Sequence, residues 1–192
     1  MYKIVGGNIN DKDHNVYLVD KNDNNMKLGV IGVTPTITSF YNSDVSKWAI
    51  GSSINLNDNS GKIFINEFAT NPPSLFNYIN NARNNHKFDF KATNGIEFNQ
   101  NLDHYRGLPI GISDDGTTII SSARDIGNIV AGYIVGYNEI PWAFARLAFD
   151  LYQGSSEGIS TQNAEFLGWK NGYSLFNNYF KFNISKYNIF AK

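Results

Sequence analysis

The sequence predicts an α+β fold, with a β-rich N-terminal half carrying hairpins and one helix, then a packed three-helix C-terminal segment. Three observations lead there. Short apolar runs separated by Asn, Asp and Gly clusters fill the first 120 or so residues. From Ser122 the apolar spacing changes to threes and fours. Pro141 and "QGSSEG" then cut the helical part into three. No internal repeat or long linker divides the chain, so residues 1–192 read as one domain, with 1–121 as a β-rich part and 122–192 as a helical part.

The elements follow in order. "NVYLVD" alternates, "KNDNN" is a turn cluster, and "KLGVIGV" alternates again, which predicts a hairpin pairing Val16–Val19 with Leu28–Val33. "SKWAIGSSINLN" and "GKIFINEF" flank "DNSG", and Gly61 can take positive φ, so a second hairpin is expected there. "NPPSLFNYINNAR" starts a helix near Pro73 or Ser74, with Leu75, Phe76, Tyr78 and Ile79 as its apolar residues. "KFDFK", Lys87 to Lys91, alternates like a short strand. "YRGLPIGISDDGTTII" reads as strand, turn and strand.

In the helical part, Ile126, Ile129, Val130, Tyr133, Ile134 and Tyr137 form one stripe. Gly127, Gly132 and Gly136 each weaken such a helix by about 1 kcal/mol relative to alanine. Close helix packing is the ordinary reason to keep them. Pro141 suits the first turn of the next helix, whose Trp142, Ala145, Leu147, Ala148, Leu151 and Tyr152 are expected to pack. Ser160 or Thr161 is the expected cap of a third helix holding Ala164, Phe166, Leu167, Trp169 and Phe176.

Composition narrows the function. Asparagine makes up about one residue in seven, and charged residues only 17%. The net charge of −1 argues against a protein that grips many phosphates. With no cysteine, thiol nucleophiles and Cys-ligated zinc are excluded. His14, His86 and His104 lie far apart, so no metal and no cofactor is expected. The start "MYKIVGGNIND" has no signal-peptide pattern, and no run reaches the ~18 apolar residues of a membrane span.

Polar residues inside the helical part are the candidates for chemistry. Arg146, Asp150 and Gln153 share one helix face, either as a surface ion pair or as a wall of a cleft. Arg124 and Asp125 begin their helix, where the carboxylate can serve as a cap, and Asn128 follows one turn later. Glu157 in "SSEGIS" sits between helices, as an exposed loop residue or as a general acid raised by partial burial. "DHYRG" is the other polar knot. There His104, Arg106 and Tyr105 offer a base, a charge stabiliser and an orienter for metal-independent phosphodiester cleavage, although His104 and Tyr105 as neighbours on a regular strand would point to opposite faces.

"ARDIGNIVAGYIVG", "PWAFARLAFDLYQ" and "EGISTQNAEFLGWKNGY" resemble the C-terminal toxin domains of bacterial RHS and other polymorphic toxins, nearest to polymorphic toxin type 44. "FYNSDVSKWAIGSSIN" and "KFDFKATNG" extend the likeness to about three quarters of the chain. The positions it picks out are Arg124, Asp125, Asn128, Arg146, Asp150, Gln153, Glu157, Thr161 and Gln162. The resemblance implies a larger carrier polypeptide, a cognate immunity protein and delivery into a target bacterium.

The leading expectation is a hydrolase attacking peptidoglycan glycan in the periplasm. Its motives are the carboxylates, the 3 Trp and 11 Tyr able to stack on sugars, and the lack of basic surplus. Glu157 would be the acid, Asp125 or Asp150 the base or stabiliser, and Asn128 and Gln162 would position substrate. The alternatives are an RNase toxin built on His104 and Arg106 acting in the target cytoplasm, and a non-enzymatic binding module.

Overall fold

A computed structural model of the chain describes residues 1–23, 25–83, 85–93, 95, 99–153 and 158–174. The hairpin around "KNDNN" forms as expected. Strands β2 (Asn15–Val19) and β3 (Lys27–Val33) pair antiparallel, Tyr17 opposite Val30, with two register shifts that twist the ribbon. The expected strand–turn–strand also forms, as β7 (Gly107–Ile112) and β8 (Thr118–Ser122). Gly116, at φ +84°, closes its turn. Asp115 steadies that turn by accepting from the Thr117 N–H at 3.0 Å.

These strands belong to one mixed sheet of order β1-β6-β7-β8-β3-β2. Its remaining members are β1 (Tyr2–Lys3) and β6 (Ser53–Ile54), with β6 parallel to β7 and β3 parallel to β8. A separate two-residue hairpin joins β4 (Tyr41–Asn42) to β5 (Lys47–Trp48). The sheet carries Leu108, Ile110 and Ile119 into the main core, and Ile54 and Ile120 into a smaller one with Ile4 and Phe40.

Two sequence expectations are corrected here. "GKIFINEF" is not a strand but part of helix α1 (Ser60–Thr70). Its alternating Ile63 and Ile65 mimic a strand, yet the buried set is Gly61, Ile65 and Phe68, a helical spacing, and Ile63 stays 64% exposed. "KFDFK" is not a strand either. It is a turn leading into the short helix α3 (Phe90–Thr93), with Phe88 N–H held by the Asn81 carbonyl at 2.8 Å. The intervening helix α2 (Leu75–Asn81) is capped by Ser74, as expected, and α4 (Gln100–His104) is capped by Asn99.

Helix α5 (Ala123–Tyr137) leaves β8 without a loop. Ser122, rather than Asp125, caps it, its Oγ accepting from the Asp125 N–H at 3.2 Å. Ile126, Ile129, Val130, Tyr133 and Ile134 are all buried, so the predicted stripe is the inner face. Helix α6 (Trp142–Gln153) returns alongside, and α7 (Ile159–Ser174) runs parallel to α5. That last helix begins one or two residues before the expected cap, with the Gly158 carbonyl accepting from the N–H groups of Thr161 and Gln162.

Glycines set the spacing of α5 and α7. A Cβ on Gly132 would press on the backbone of Glu165 and Trp169, and one on Gly136 on that of Trp169 and Tyr173. Reciprocally, Gly168 abuts Ile129 and Tyr133, and Gly172 abuts Tyr133 and Tyr137. Two G-x-x-x-G faces therefore meet backbone to backbone, the packing reason anticipated for Gly132 and Gly136. Gly127 differs, because nothing lies within 4 Å of its would-be Cβ.

Helix α6 corrects a further expectation. Of its apolar residues only Ala145 is buried, while Leu147 is 56%, Leu151 73% and Tyr152 54% exposed. It stands off α5 and is fastened mainly by side chains, including Trp142 against Phe166 at 5.0 Å and Trp169 Nε1 donating to the Ile140 carbonyl at 2.8 Å. The gap this leaves is a cleft. Phe176 lies outside the described residues.

Candidate functional site

A cavity of about 770 Å³ opens where α6 stands off, within the size range of small-ligand sites. Its walls come from α2, the segment 88–91, α5, α6 and α7. Along α5 the lining changes character. Arg124 and Asn128 face it near the N-terminal end, and Ala131 and Val135 further on, followed by Ile140. Aromatic residues Tyr78, Phe88, Phe90, Phe149 and Tyr152 supply much of the remaining surface.

Two carboxylates reach this cleft from different walls. Asp89 accepts from the Asn85 N–H at 2.9 Å. Glu165, only 2% exposed, projects from α7 and forms an ion pair with Arg146, Nη1 to Oε2 at 2.5 Å. Because α7 is parallel to α5, Glu165 lies level with Ile129, and helical side chains lean toward their N-terminus. That brings its carboxylate to the polar end, with Asn128. Burial raises the Tyr78 phenol above its ordinary range, with Glu165, Tyr152 and Asp89 adding to the rise, so Tyr78 remains a neutral hydroxyl at the cleft wall.

Of the residues expected to matter, Arg124 and Asn128 line the cleft. Arg124 also ties α5 to its surroundings, Nη1 donating to Tyr105 Oη at 3.0 Å and Nη2 to Thr161 Oγ1. The Asn128 Nδ2 is buried with no hydrogen-bond partner. Arg146 and Asp150 form the i,i+4 pair foreseen from spacing, Nη2 to Oδ1 at 2.6 Å, but Asp150 is not on the cleft wall. Gln162 is half-buried in the first turn of α7 and likewise does not line the cleft. The Gln153 side chain and the whole of Glu157 lie outside the described residues.

Asp125 faces the interior. It is fully buried, with Oδ2 accepting from Thr36 Oγ1 at 3.0 Å and Oδ1 left without a partner. Burial raises its carboxyl to about 7, opposed by the Arg124 charge and the Thr36 and Ser39 hydroxyls. It does not line the cleft and lies against the 34–39 segment. Here it joins α5 to the loop that follows β3.

The "DHYRG" knot divides in the same way. Arg106 is 2% exposed and donates to main-chain carbonyls: Nη1 to Lys91 at 2.9 Å and Asp103 at 2.7 Å, Nη2 to Phe90 at 2.9 Å. It pins the segment 89–91 that forms one cleft wall. His104 Nε2 is buried without a partner, and burial, reinforced by the Lys91 charge, lowers its pKa.

Glu165 is the residue the sequence reading missed. Its signal was present: Thr161, Ala164, Glu165, Gly168 and Gly172 are all buried, so a carboxylate sits within a stripe of small residues. Among the described residues no group of three or more His, Asp or Glu could hold a metal ion, and no helix is long and apolar enough to cross a membrane.

The α+β architecture and the cleft thus define the class at the level of fold. Comparison with family models, with curated proteins and with solved structures returns no match.

Proposed function

We propose that this chain is a hydrolase of the bacterial toxin-tail class that acts on cell-wall glycan, with the α5–α6 cleft as its active site. The observation that carries the reading is Glu165, a carboxylate 2% exposed yet lining a cavity walled by aromatic rings. Glycoside cleavage uses two carboxyl groups flanking the bond, and Asp89 and Glu165 reach the cleft from different elements. As the ionised half of a pair with Arg146, Glu165 suits the nucleophile, base or charge-stabilising role, with Asp89 as the second carboxyl group. Phe149 and Tyr152, less buried than Tyr78 and Phe90, offer faces for sugar rings, while Arg124 and Asn128 orient hydroxyls. The toxin class and delivery to a target periplasm rest on the resemblance of residues 123–173.

The test pairs chemistry with biology. Purified chain incubated with peptidoglycan should release new reducing ends, and Glu165→Gln should lower the rate at least a hundredfold while circular dichroism stays unchanged. A folded Glu165→Gln variant with full activity would falsify the assignment. Expressed in Escherichia coli, the chain should kill on export to the periplasm.

The RNase reading keeps one supporting observation, the partnerless His104 Nε2 in a site that favours the neutral, basic imidazole. Arg106 supports it less, because both its terminal nitrogens already bind main-chain carbonyls. Killing only without export, lost in His104→Ala, would favour RNA. Neither wall nor RNA changing on incubation would favour a binding module.

A further inference from the structure

We infer that the cleft takes, in preference to the bare polymer, a glycan joined through phosphate to an apolar chain, a lipid-linked form of the wall saccharide. The inference rests on the cleft being the substrate site, and it names what that substrate carries. Three observations lead to it.

The first is the division of the cleft along α5. Arg124 and Asn128 mark one end, Val135 the other, eleven residues or roughly 16 Å away at the helical rise. Beyond Asn128 the α5 side of the lining is apolar, with Ala131, Val135 and then Ile140. A free polysaccharide, polar along its whole length, leaves that half without a complement. A hydrocarbon chain fills it.

The second is the charge at the polar end. Both cleft carboxylates are engaged, Glu165 by Arg146 and Asp89 by the Asn85 N–H. Lys91 and Arg83 line the cleft and have no ion pair among the described residues. The Asn128 Nδ2 adds a buried donor with no acceptor. Lys91, which with Arg124 neighbours His104, and the unused Asn128 N–H match a phosphate, and they leave a neutral sugar under-used.

The third lies at the cleft's outer walls. Phe76 on α2 is 76% exposed, and Phe144, Leu147 and Leu151 on α6 are 67%, 56% and 73% exposed. Both helices also line the cleft, through other residues. Large exposed apolar side chains there suit a substrate met at a membrane surface.

The experiment is isothermal titration of the full chain with farnesyl monophosphate, with farnesol, laurate and inorganic phosphate as comparison arms. Farnesyl monophosphate should bind at least tenfold tighter than farnesol or laurate, and inorganic phosphate alone should not bind at millimolar concentration. Lys91→Ala should weaken farnesyl monophosphate about tenfold and leave farnesol unchanged. Ala148→Trp, at an exposed cleft position that disturbs no core, should abolish both. Equal binding of farnesol or laurate, or indifference to Lys91→Ala, overturns the phosphate assignment. No binding by any chain-bearing probe overturns the whole inference. Hydrolysis lost in Glu165→Gln tests the active-site reading, and the farnesyl monophosphate to farnesol ratio in Lys91→Ala tests this one, so failure of one is told from failure of the other.

Discussion

Arg146 on α6 and Glu165 on α7 meet at 2.5 Å, and the same guanidinium holds Asp150 on its own helix at 2.6 Å. The pair is asymmetric, with the Arg146 side chain 17% exposed and that of Glu165 only 2%. One arginine therefore both fastens the outer helix and neutralises the deepest carboxylate of the cleft.

Replacing Arg146 with methionine should cost about 3 kcal/mol, because a buried carboxylate loses its counter-charge. The double variant Arg146→Met/Glu165→Gln should recover part of the loss. Urea denaturation of the four proteins in the cycle measures this, and strictly additive losses would deny the coupling.

The glycines of α5 and α7 should divide sharply. Gly168→Ala places a Cβ 2.7 Å from the Ile129 carbonyl carbon and 2.9 Å from the Tyr133 nitrogen, so the helices must part at a cost of about 2–3 kcal/mol. Gly132→Ala meets Glu165 and Trp169 backbone in the same way. Gly127→Ala meets nothing and should stabilise by about 1 kcal/mol through helix propensity. Thermal midpoints of the three variants should move down, down and up.

Asp125 should make stability fall as pH rises. Its folded pKa of about 7 stands above the ordinary 3.8, so between those values the native state binds more protons than the unfolded chain. Its contribution is complete below about pH 4, is lost as pH climbs toward 7, and is flat above. Asp125→Asn keeps an acceptor for Thr36 and should remove this slope, leaving the variant more stable than wild type at pH 8 by a few kcal/mol. Parallel stability–pH curves for the two proteins would contradict the assignment.

Arg106 should behave as a structural clamp. Arg106→Ala leaves the carbonyls of Phe90, Lys91 and Asp103 without its donors and should destabilise by about 3 kcal/mol or more. Arg106→Lys cannot reproduce the planar fork and should restore only part of this. Equilibrium denaturation decides, and wild-type stability in Arg106→Ala would remove the clamp.

Local chemistry determined much of the fold from the sequence alone. The turn residues of "KNDNN" and "SDDG" and the period-2 runs beside them specify the β2–β3 and β7–β8 hairpins, which are short-range events. The Ile126–Ile134 stripe and the spacing of Arg146 and Asp150 likewise follow from helical geometry within one element. Where alternation and helical period coincide, as at Ile63 and Ile65, the choice passed to tertiary contacts. The Gly61–Ile65–Phe68 face against Leu108, Ile110 and Ile126 won.

The cleft was decided entirely at that level. Asp125, Asn128 and Glu165 look alike in sequence as polar residues in helices. Which of them faces the interior, which the cavity, and which pairs with Arg146 depends on the rotation of α5 and α7 about their glycine contact and on α6 standing away. Those are relations between residues far apart in the chain, and no pattern within a single helix encodes them.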